Sequence, residues 1–77
     1  MEITPDVHLD LSNMESPIPM IRTKETLDSM LPGQVLCVVT TQRSTVKNIR
    51  TLVANNPYEL VQFSSQKEEY TFTIRKN

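Results

Sequence analysis

The residues of this sequence most suited to chemistry lie in the segment NMESPIP, residues 13–19. Ser16 stands directly before Pro17, and Pro19 follows. A serine ahead of a proline-led amphipathic run is typical of a helix N-cap, a role that contributes about 1 kcal/mol. A nucleophilic serine needs an adjacent base, and the single histidine, His8, falls on a predicted strand with no sign of a catalytic triad. We therefore interpret Ser16 as an N-cap and not as a hydrolase nucleophile.

Cysteine chemistry rests on one residue, Cys37. A single cysteine excludes an internal disulfide and a cysteine-rich metal site. It lies inside the apolar run VLCVV (35–39), which favours a buried, inert thiol over a sulfur-handling one. The sequence also lacks the spacing patterns of metal, P-loop and dinucleotide sites, so we expect no cofactor and no metal.

A third candidate is a row of three cations, Arg43, Lys47 and Arg50. Their spacing of four and three residues places them on one side of a helix. Such a row can meet an acidic partner or a phosphate strand, but no aromatic residue is interleaved with the cations for base stacking. We therefore favour a solvated charged face, and an anion or RNA patch is the alternative.

Length and composition restrict the classes of function. The chain has 77 residues, of which 38% are apolar and 22% are charged, and its net charge is −1. These values fit one small domain without bulk attraction for nucleic acid or anionic lipid. The N-terminal residues show no basic, apolar leader, and the longest apolar run is far shorter than a membrane span. We expect a cytoplasmic monomer that has no membrane partner, and we do not expect nucleic acid as a partner.

Hydrophobic periodicity predicts six elements that must position these residues. Strands are predicted at 7–11, 34–40, 60–63 and 70–75, and helices from about Pro17 to Leu31 and from Ser44 or Thr45 to the Asn55-Asn56-Pro57 segment. The apolar stripes of the two helices comprise Met20, Lys24, Leu27, Met30 and Leu31 in the first and Val46, Ile49, Leu52 and Val53 in the second. Pro32-Gly33 ends the first helix, and a polar turn at 66–69 joins the last two strands.

The order of elements is βαβαββ. A right-handed crossover makes the first two strands parallel and places both helices on one face of the sheet. The continuous apolar run at 34–40 predicts a central strand that is covered on part of both faces. The predicted class is α+β, a two-layer sandwich in which two helices lie on a mixed four-stranded sheet.

A family pattern extends along most of the chain. Leu9-Asp10 precedes the in-register residues Pro17, Pro19, Lys24, Leu27, Met30, Gly33, Leu36 and Val38, and Ile74-Arg75-Lys76 closes the pattern. In these residues the sequence resembles the TusA/SirA sulfur-carrier family, as a single TusA-like domain over residues 1–77. The resemblance implies the family's βαβαββ fold, which is similar to the C-terminal domain of translation initiation factor three.

The resemblance also implies a place in a sulfur relay. In the family, the cysteine of a Cys-Pro-x-Pro motif accepts sulfane sulfur from a cysteine desulfurase or rhodanese and passes it on. A thiolate at a helix N-terminus is stabilised there, whereas Ser16, which occupies that position here, cannot hold a transferable persulfide. We therefore suspect sulfur-relay proteins as partners. The binding residues that we expect around this position are Met14, Glu15, Pro17, Ile18, Pro19 and Lys24.

Two origins of Ser16 stay open, natural divergence and an introduced Cys→Ser substitution. The family usually has Gly-Leu before its cysteine and an Asp-x-Gly-like turn before the second helix, whereas this chain has Asn13-Met14 and Gln42-Arg43-Ser44. Several departures at one edge favour divergence. We predict a non-catalytic protein-binding or regulatory module. The alternative is a genuine carrier for tRNA thiolation or related sulfur trafficking, seen as a serine variant, and an RNA-binding module comes third.

Overall fold

The computed structural model describes residues 4–15 and 17–77 of the chain. The elements are β1 (Val7–Asp10), α1 (Ile18–Ser29), β2 (Val35–Thr40), α2 (Arg43–Ala54), β3 (Tyr58–Gln66) and β4 (Glu69–Lys76). This order confirms the predicted α+β class, with two helices and a mixed four-stranded sheet. Neither α1 nor α2 has the length and apolar character that a bilayer-crossing helix requires.

The sheet has the strand order β1-β2-β4-β3. β1 and β2 are parallel, and β4 is antiparallel to both of its neighbours. Leu36 and Val38 of β2 are fully buried in the core, whereas Cys37 and Val39 are half-buried and alternate with them. The prediction of a central strand covered on part of both faces is therefore confirmed, because alternate residues of a strand point to opposite faces.

One core cluster joins the sheet to both helices. Its buried members are Leu11, Leu27, Met30, Leu36, Val38, Ile49, Leu52, Val53, Phe72 and Ile74. The predicted stripe of α2 is confirmed, and Val46 packs half-buried at its margin. The stripe of α1 is shorter than predicted, because Lys24 is exposed and Leu31 is 68% exposed.

Both helices begin or end away from their predicted limits. α1 stops at Ser29, since Met30 takes an extended conformation (φ −82°, ψ 157°) and the residue before Pro32 disfavours the helical region. Gly33 then turns the chain with a φ of +90°, a value that side chains strain to adopt.

The second helix begins at Arg43, with Gln42 in the N-cap position, so the prediction of Ser44 or Thr45 as its cap is wrong. Gln42 is extended, and its carbonyl accepts a hydrogen bond from the Thr45 backbone N–H at 3.0 Å. Thr45 itself is buried in the first turn. The apolar face of α2 thus sets where the helix starts, ahead of the preference of Ser and Thr for cap positions.

The β3–β4 hairpin is longer than the sequence predicts. Ser64, Ser65 and Gln66 extend β3 beyond its apolar run, because they pair with β4 through to the turn. Lys67 and Glu68 form that turn with φ values of 47° and 65°. Two successive positive φ values are the geometry of a type I′ turn, which matches the twist of the strands that it joins.

Candidate functional site

The candidate site lies at the edge of the sheet where the two parallel strands end. Asp10 pairs with Val39, and the Leu11 N–H donates a hydrogen bond to the Val39 carbonyl at 2.8 Å. The connections that follow β1 and β2 therefore leave the sheet side by side. One of them leads to position 16 and α1, and the other leads to α2.

Hydrogen bonds fix the loop that leads to position 16. The Asp10 carboxylate accepts hydrogen bonds from the hydroxyl and the backbone N–H of Ser12, and these bonds hold the pKa of Asp10 below its ordinary value. The Thr41 hydroxyl donates to the Ser12 carbonyl, which ties this loop to the connection between β2 and α2. The Met14 N–H donates to the Leu11 carbonyl at 3.2 Å. The loop is thus a defined turn built on the end of β1.

The start of α1 is determined by its two prolines. Pro17 occupies the N-cap position and Pro19 lies in the first helical turn, where a missing N–H costs no helical hydrogen bond. The Ile18 N–H donates to the Glu15 carbonyl at 3.0 Å, and the Ile21 N–H donates to the Pro17 carbonyl at 3.1 Å. The prediction that Ser16 caps this helix concerns a residue outside the described ranges.

The predicted binding residues around position 16 differ in accessibility. Glu15, Pro17 and Lys24 are exposed, and Ile18 is 47% exposed. Met14 is half-buried and packs against the core.

Pro19 is buried, so its side chain packs inside the protein. Lys24 donates to Asp28 one turn along α1 at 2.8 Å. Ile21, which the sequence reasoning missed, is 45% exposed beside Ile18 on the first turns of α1. Its signal was a second isoleucine three residues after Ile18, outside the buried stripe.

The only thiol lies away from this edge. Cys37 is in the middle of β2, between His8 of β1 and Thr73 of β4. It is half-buried on the sheet face opposite the helices, and burial raises the pKa of its thiol. A raised pKa reduces the thiolate fraction at neutral pH, and the thiolate is the reactive form.

The three cations of α2 are brought together with aromatic side chains. Arg43, Lys47 and Arg50 line one side of a groove that α2 forms with the β3–β4 hairpin. The Arg50 guanidinium lies over the Phe63 ring, 4.8 Å from its centroid, and Tyr70 lines the groove beside Arg43. No aromatic residue is interleaved with the cations in the sequence of α2, as the sequence alone indicates. In the folded protein, however, Phe63 and Tyr70 of the hairpin lie beside them.

Comparisons with known proteins agree on one family. The family model described as sulfurtransferase TusA matches residues 7–76. The chain is 33% identical over 72 residues to the sulfur carrier protein TusA of Allochromatium vinosum, across 94% of this chain and 95% of that protein.

Two solved structures share the fold. The crystal structure of a SirA-like protein from Desulfitobacterium hafniense superposes with a TM-score of 0.78 at 21% identity, covering 90% of this chain and 95% of that one. The solution structure of a Helicobacter pylori protein superposes with a TM-score of 0.69 at 16% identity, covering 91% and 96%.

Proposed function

Because this chain belongs to the TusA family, we propose that it is a protein-binding or regulatory module of a sulfur relay that does not itself carry sulfur. The observation that supports this proposal most is the serine at position 16, because the Cys-Pro-x-Pro motif of the family has its acceptor cysteine at that position. A persulfide is a sulfur–sulfur bond, and a hydroxyl oxygen offers no sulfur atom on which to form it. The chemistry of carriage is therefore missing, while the fold that presents it is retained.

Cys37 is a poor substitute for the missing acceptor. A carrier must bring its sulfur to the active sites of two partner enzymes, so the acceptor has to stand clear of the fold. Cys37 is instead held in the central strand between His8 and Thr73, half-buried and with a raised pKa. Sulfane transfer to this thiol would have to start from a weakly ionised, half-buried group within the sheet.

The surface left for partners is the start of α1. Pro17, Ile18 and Ile21 expose apolar area next to the loop that follows β1. Exposed apolar side chains that cluster on one part of a surface are typical of a protein interaction site, because a partner can bury them away from water. We expect a cytoplasmic monomer that docks a cysteine desulfurase, a rhodanese or another relay protein through this surface, which we call the α1 start.

The test compares binding by matched variants. Ile18→Asp puts a charge in the α1 start, and an acidic residue at a helix N-terminus is tolerated by the helix dipole. Leu31→Asp makes the same chemical change just beyond the C-terminal end of α1, where the side chain is 68% exposed. Isothermal titration against the cysteine desulfurase and rhodanese of the source organism should show binding that Ile18→Asp weakens at least about tenfold, the loss expected from a buried unpaired charge at an interface. Equal effects of the two variants would contradict the α1 start as the docking surface.

A second candidate is a genuine carrier seen as a Cys→Ser variant. Pro17, Pro19 and Lys24 stand in register with the family pattern, which supports a surface still suited to relay enzymes. Under this alternative the native residue at position 16 is cysteine, and the protein delivers sulfur to tRNA thiolation or a related pathway. The codon at position 16 in the source genome decides between the two candidates.

A further inference from the structure

The groove between α2 and the β3–β4 hairpin lies outside the α1 start that we propose as the docking surface. It is a groove open to solvent, with a volume of about 570 Å³, beside one face of α2. Val46 and Ala54 provide apolar lining, and Tyr70 closes the side formed by the hairpin. Volumes of this size are typical of binding sites that combine an apolar floor with a few polar groups. We call this feature the α2 groove.

Positive charge is concentrated along the α2 groove. Arg43, Lys47 and Arg50 are all exposed and follow one another along the helix face. Residues 43 and 50 are seven positions apart, which corresponds to a row about 10 Å long. In the part of the chain that the structure describes, none of these three cations forms an ion pair, and the nearest influence of a carboxylate is a longer-range coulombic interaction of Glu68 with Arg43. The row is therefore available to a ligand of opposite charge.

Aromatic residues of the hairpin lie beside two of the cations. The Arg50 guanidinium stacks on Phe63 at 4.8 Å, a cation–π contact that restricts its side chain. Tyr70 lines the groove beside Arg43, and its hydroxyl raises the pKa of the Arg43 guanidinium. Side chains that are ordered before binding lose less conformational entropy when a ligand arrives. The arrangement is therefore closer to a prepared site than to a solvated charged face.

The same rings argue against nucleic acid as the ligand. Stacking of bases requires free aromatic faces. Phe63 already has Arg50 over its ring, Tyr70 stacked at 6.4 Å between centroids and Phe72 tilted at 4.9 Å. The net charge of −1 also provides no long-range attraction for a polyanion. A ligand with only a few negative charges and some apolar surface fits the groove better.

We propose that the α2 groove binds an acidic, amphipathic segment of a partner protein. Asp or Glu side chains of the segment face Arg43, Lys47 and Arg50, and an apolar side chain rests on Val46 and Ala54. In an extended segment, residues i and i+2 point to the same side and lie about 7 Å apart. Two carboxylates at such positions therefore span much of the row of cations. This inference is independent of sulfur chemistry at position 16, because it concerns other residues.

The test uses a short fluorescein-labelled peptide of alternating Glu and Leu, with a labelled oligouridine and an alternating Lys and Leu peptide for comparison. Fluorescence anisotropy gives the affinities, and ¹⁵N–¹H spectra report which residues shift and whether each variant keeps its fold. The acidic peptide should bind at micromolar to millimolar concentration and shift residues of α2 and the hairpin. The basic peptide should not bind.

Matched variants identify the groove. Arg43→Gln and Lys47→Gln should each weaken the acidic peptide about two- to fivefold, the range for exposed ion pairs, and their combination should weaken it further. Arg22→Gln removes an exposed cation from α1 and should leave the affinity unchanged. Ala54→Glu should weaken binding more than Ala54→Gln, because only the first adds a repelling charge.

Three results would overturn the proposal. The first is no binding of the acidic peptide at millimolar concentration. The second is binding that Arg22→Gln reduces as much as Lys47→Gln does, which assigns it to overall charge. The third is tighter binding of oligouridine that depends on Arg43 and Lys47, which makes the groove an RNA site.

Discussion

Cys37 lies directly opposite His8 in the parallel pairing of β1 with β2. The pairing fixes the only thiol of the chain in the interior of the sheet, where Thr73 of β4 flanks it on the other side. Position 16 comes between Glu15 and Pro17, the N-cap residue of α1, beyond the end of β1 in the sequence. The fold therefore separates the available sulfur atom from the place where the family presents its own.

Cys37 should react slowly with alkylating agents at neutral pH. Burial raises the pKa of its thiol above the ordinary value of 9.0, which lowers the thiolate fraction. The rate of modification by iodoacetamide, followed by intact mass, should be lower in the folded protein than in the protein unfolded in urea. A folded-state rate equal to that of glutathione would contradict this placement of the thiol.

The same shift affects stability at high pH. Because folding raises the pKa of Cys37, its contribution to the free energy of unfolding is fully present below the unfolded value and is lost as pH rises through the folded value. Between pH 8 and pH 10.5, the free energy of unfolding measured with urea should therefore decrease more for the wild-type protein than for Cys37→Ala. Parallel decreases in the two proteins would argue against a raised pKa.

Asp28 connects α1 with β3, and its ionised carboxylate should contribute to the free energy of unfolding at neutral pH. Its carboxylate accepts hydrogen bonds from Lys24 Nζ and from the Tyr58 hydroxyl, each at 2.8 Å, and these bonds lower its pKa. Folding thus lowers the pKa, so the stabilisation is present above the ordinary value of 3.8 and is lost as pH falls through the folded value. Asp28→Asn should lower the melting temperature at pH 7.

The control for this prediction is Glu25→Gln, which neutralises another exposed carboxylate on α1. It should change the melting temperature at pH 7 less than Asp28→Asn does. The difference between Asp28→Asn and the wild-type protein should also shrink at a pH below the lowered folded pKa of Asp28, where both carry a neutral side chain at position 28. A difference that persists unchanged at that pH would mean that the carboxylate charge is not involved.

Thr45→Val should stabilise the protein by about 1 kcal/mol. Thr45 is 1% exposed, and its Oγ1 has no hydrogen-bond partner within residues 4–15 and 17–77. Valine has nearly the same shape and removes the buried polar atom. Thr23→Val is the matched comparison, because the Thr23 hydroxyl is buried but donates to the Pro19 carbonyl at 2.8 Å. Urea unfolding should show a higher free energy of unfolding for Thr45→Val and a loss of about 0.5–1.5 kcal/mol for Thr23→Val. A loss in both variants would contradict an unpaired Thr45 hydroxyl.

Replacing Lys67-Glu68 by Asn-Gly should stabilise the hairpin. Both residues adopt positive φ, which costs a residue with a Cβ about 1 kcal/mol or more, whereas Asn-Gly is the preferred pair of a type I′ turn. The free energy of unfolding should rise by roughly 1 kcal/mol for the double replacement. Gln66→Gly is the control, since it places glycine in β3, and it should destabilise the protein.

The strands and the core were predictable because their signals are local. Phe72 and Ile74 alternate with polar residues in β4, and Ile49 and Leu52 repeat at the helical period in α2. Apolar residues at the period of a strand or a helix lie on one face of that element because of its backbone geometry. Gly33 was predictable for a similar reason, because it is the only residue of the chain free to take a φ of +90° without strain.

The remaining features depend on contacts between distant segments. The polar end of β3 carries no apolar alternation, and its strand character comes from pairing with β4. The rings of Phe63 and Tyr70 reach the cations of α2 only because the hairpin packs beside that helix. The apolar period of α1 reveals which residues face the core, but the exposed pair Ile18 and Ile21 stands out only once the helix start is known.

The central claim is that this protein lacks the chemistry of a sulfur carrier, and persulfide loading tests it most directly. The wild-type protein, Cys37→Ser, Ser16→Cys and the double variant Ser16→Cys/Cys37→Ser are each incubated with a cysteine desulfurase and cysteine, and intact masses are recorded before and after reduction. We predict that the two proteins with cysteine at position 16 gain one reducible sulfur atom and that the wild-type protein gains none. A wild-type protein that gains sulfur, with the gain abolished by Cys37→Ser, would contradict the claim and make Cys37 the acceptor.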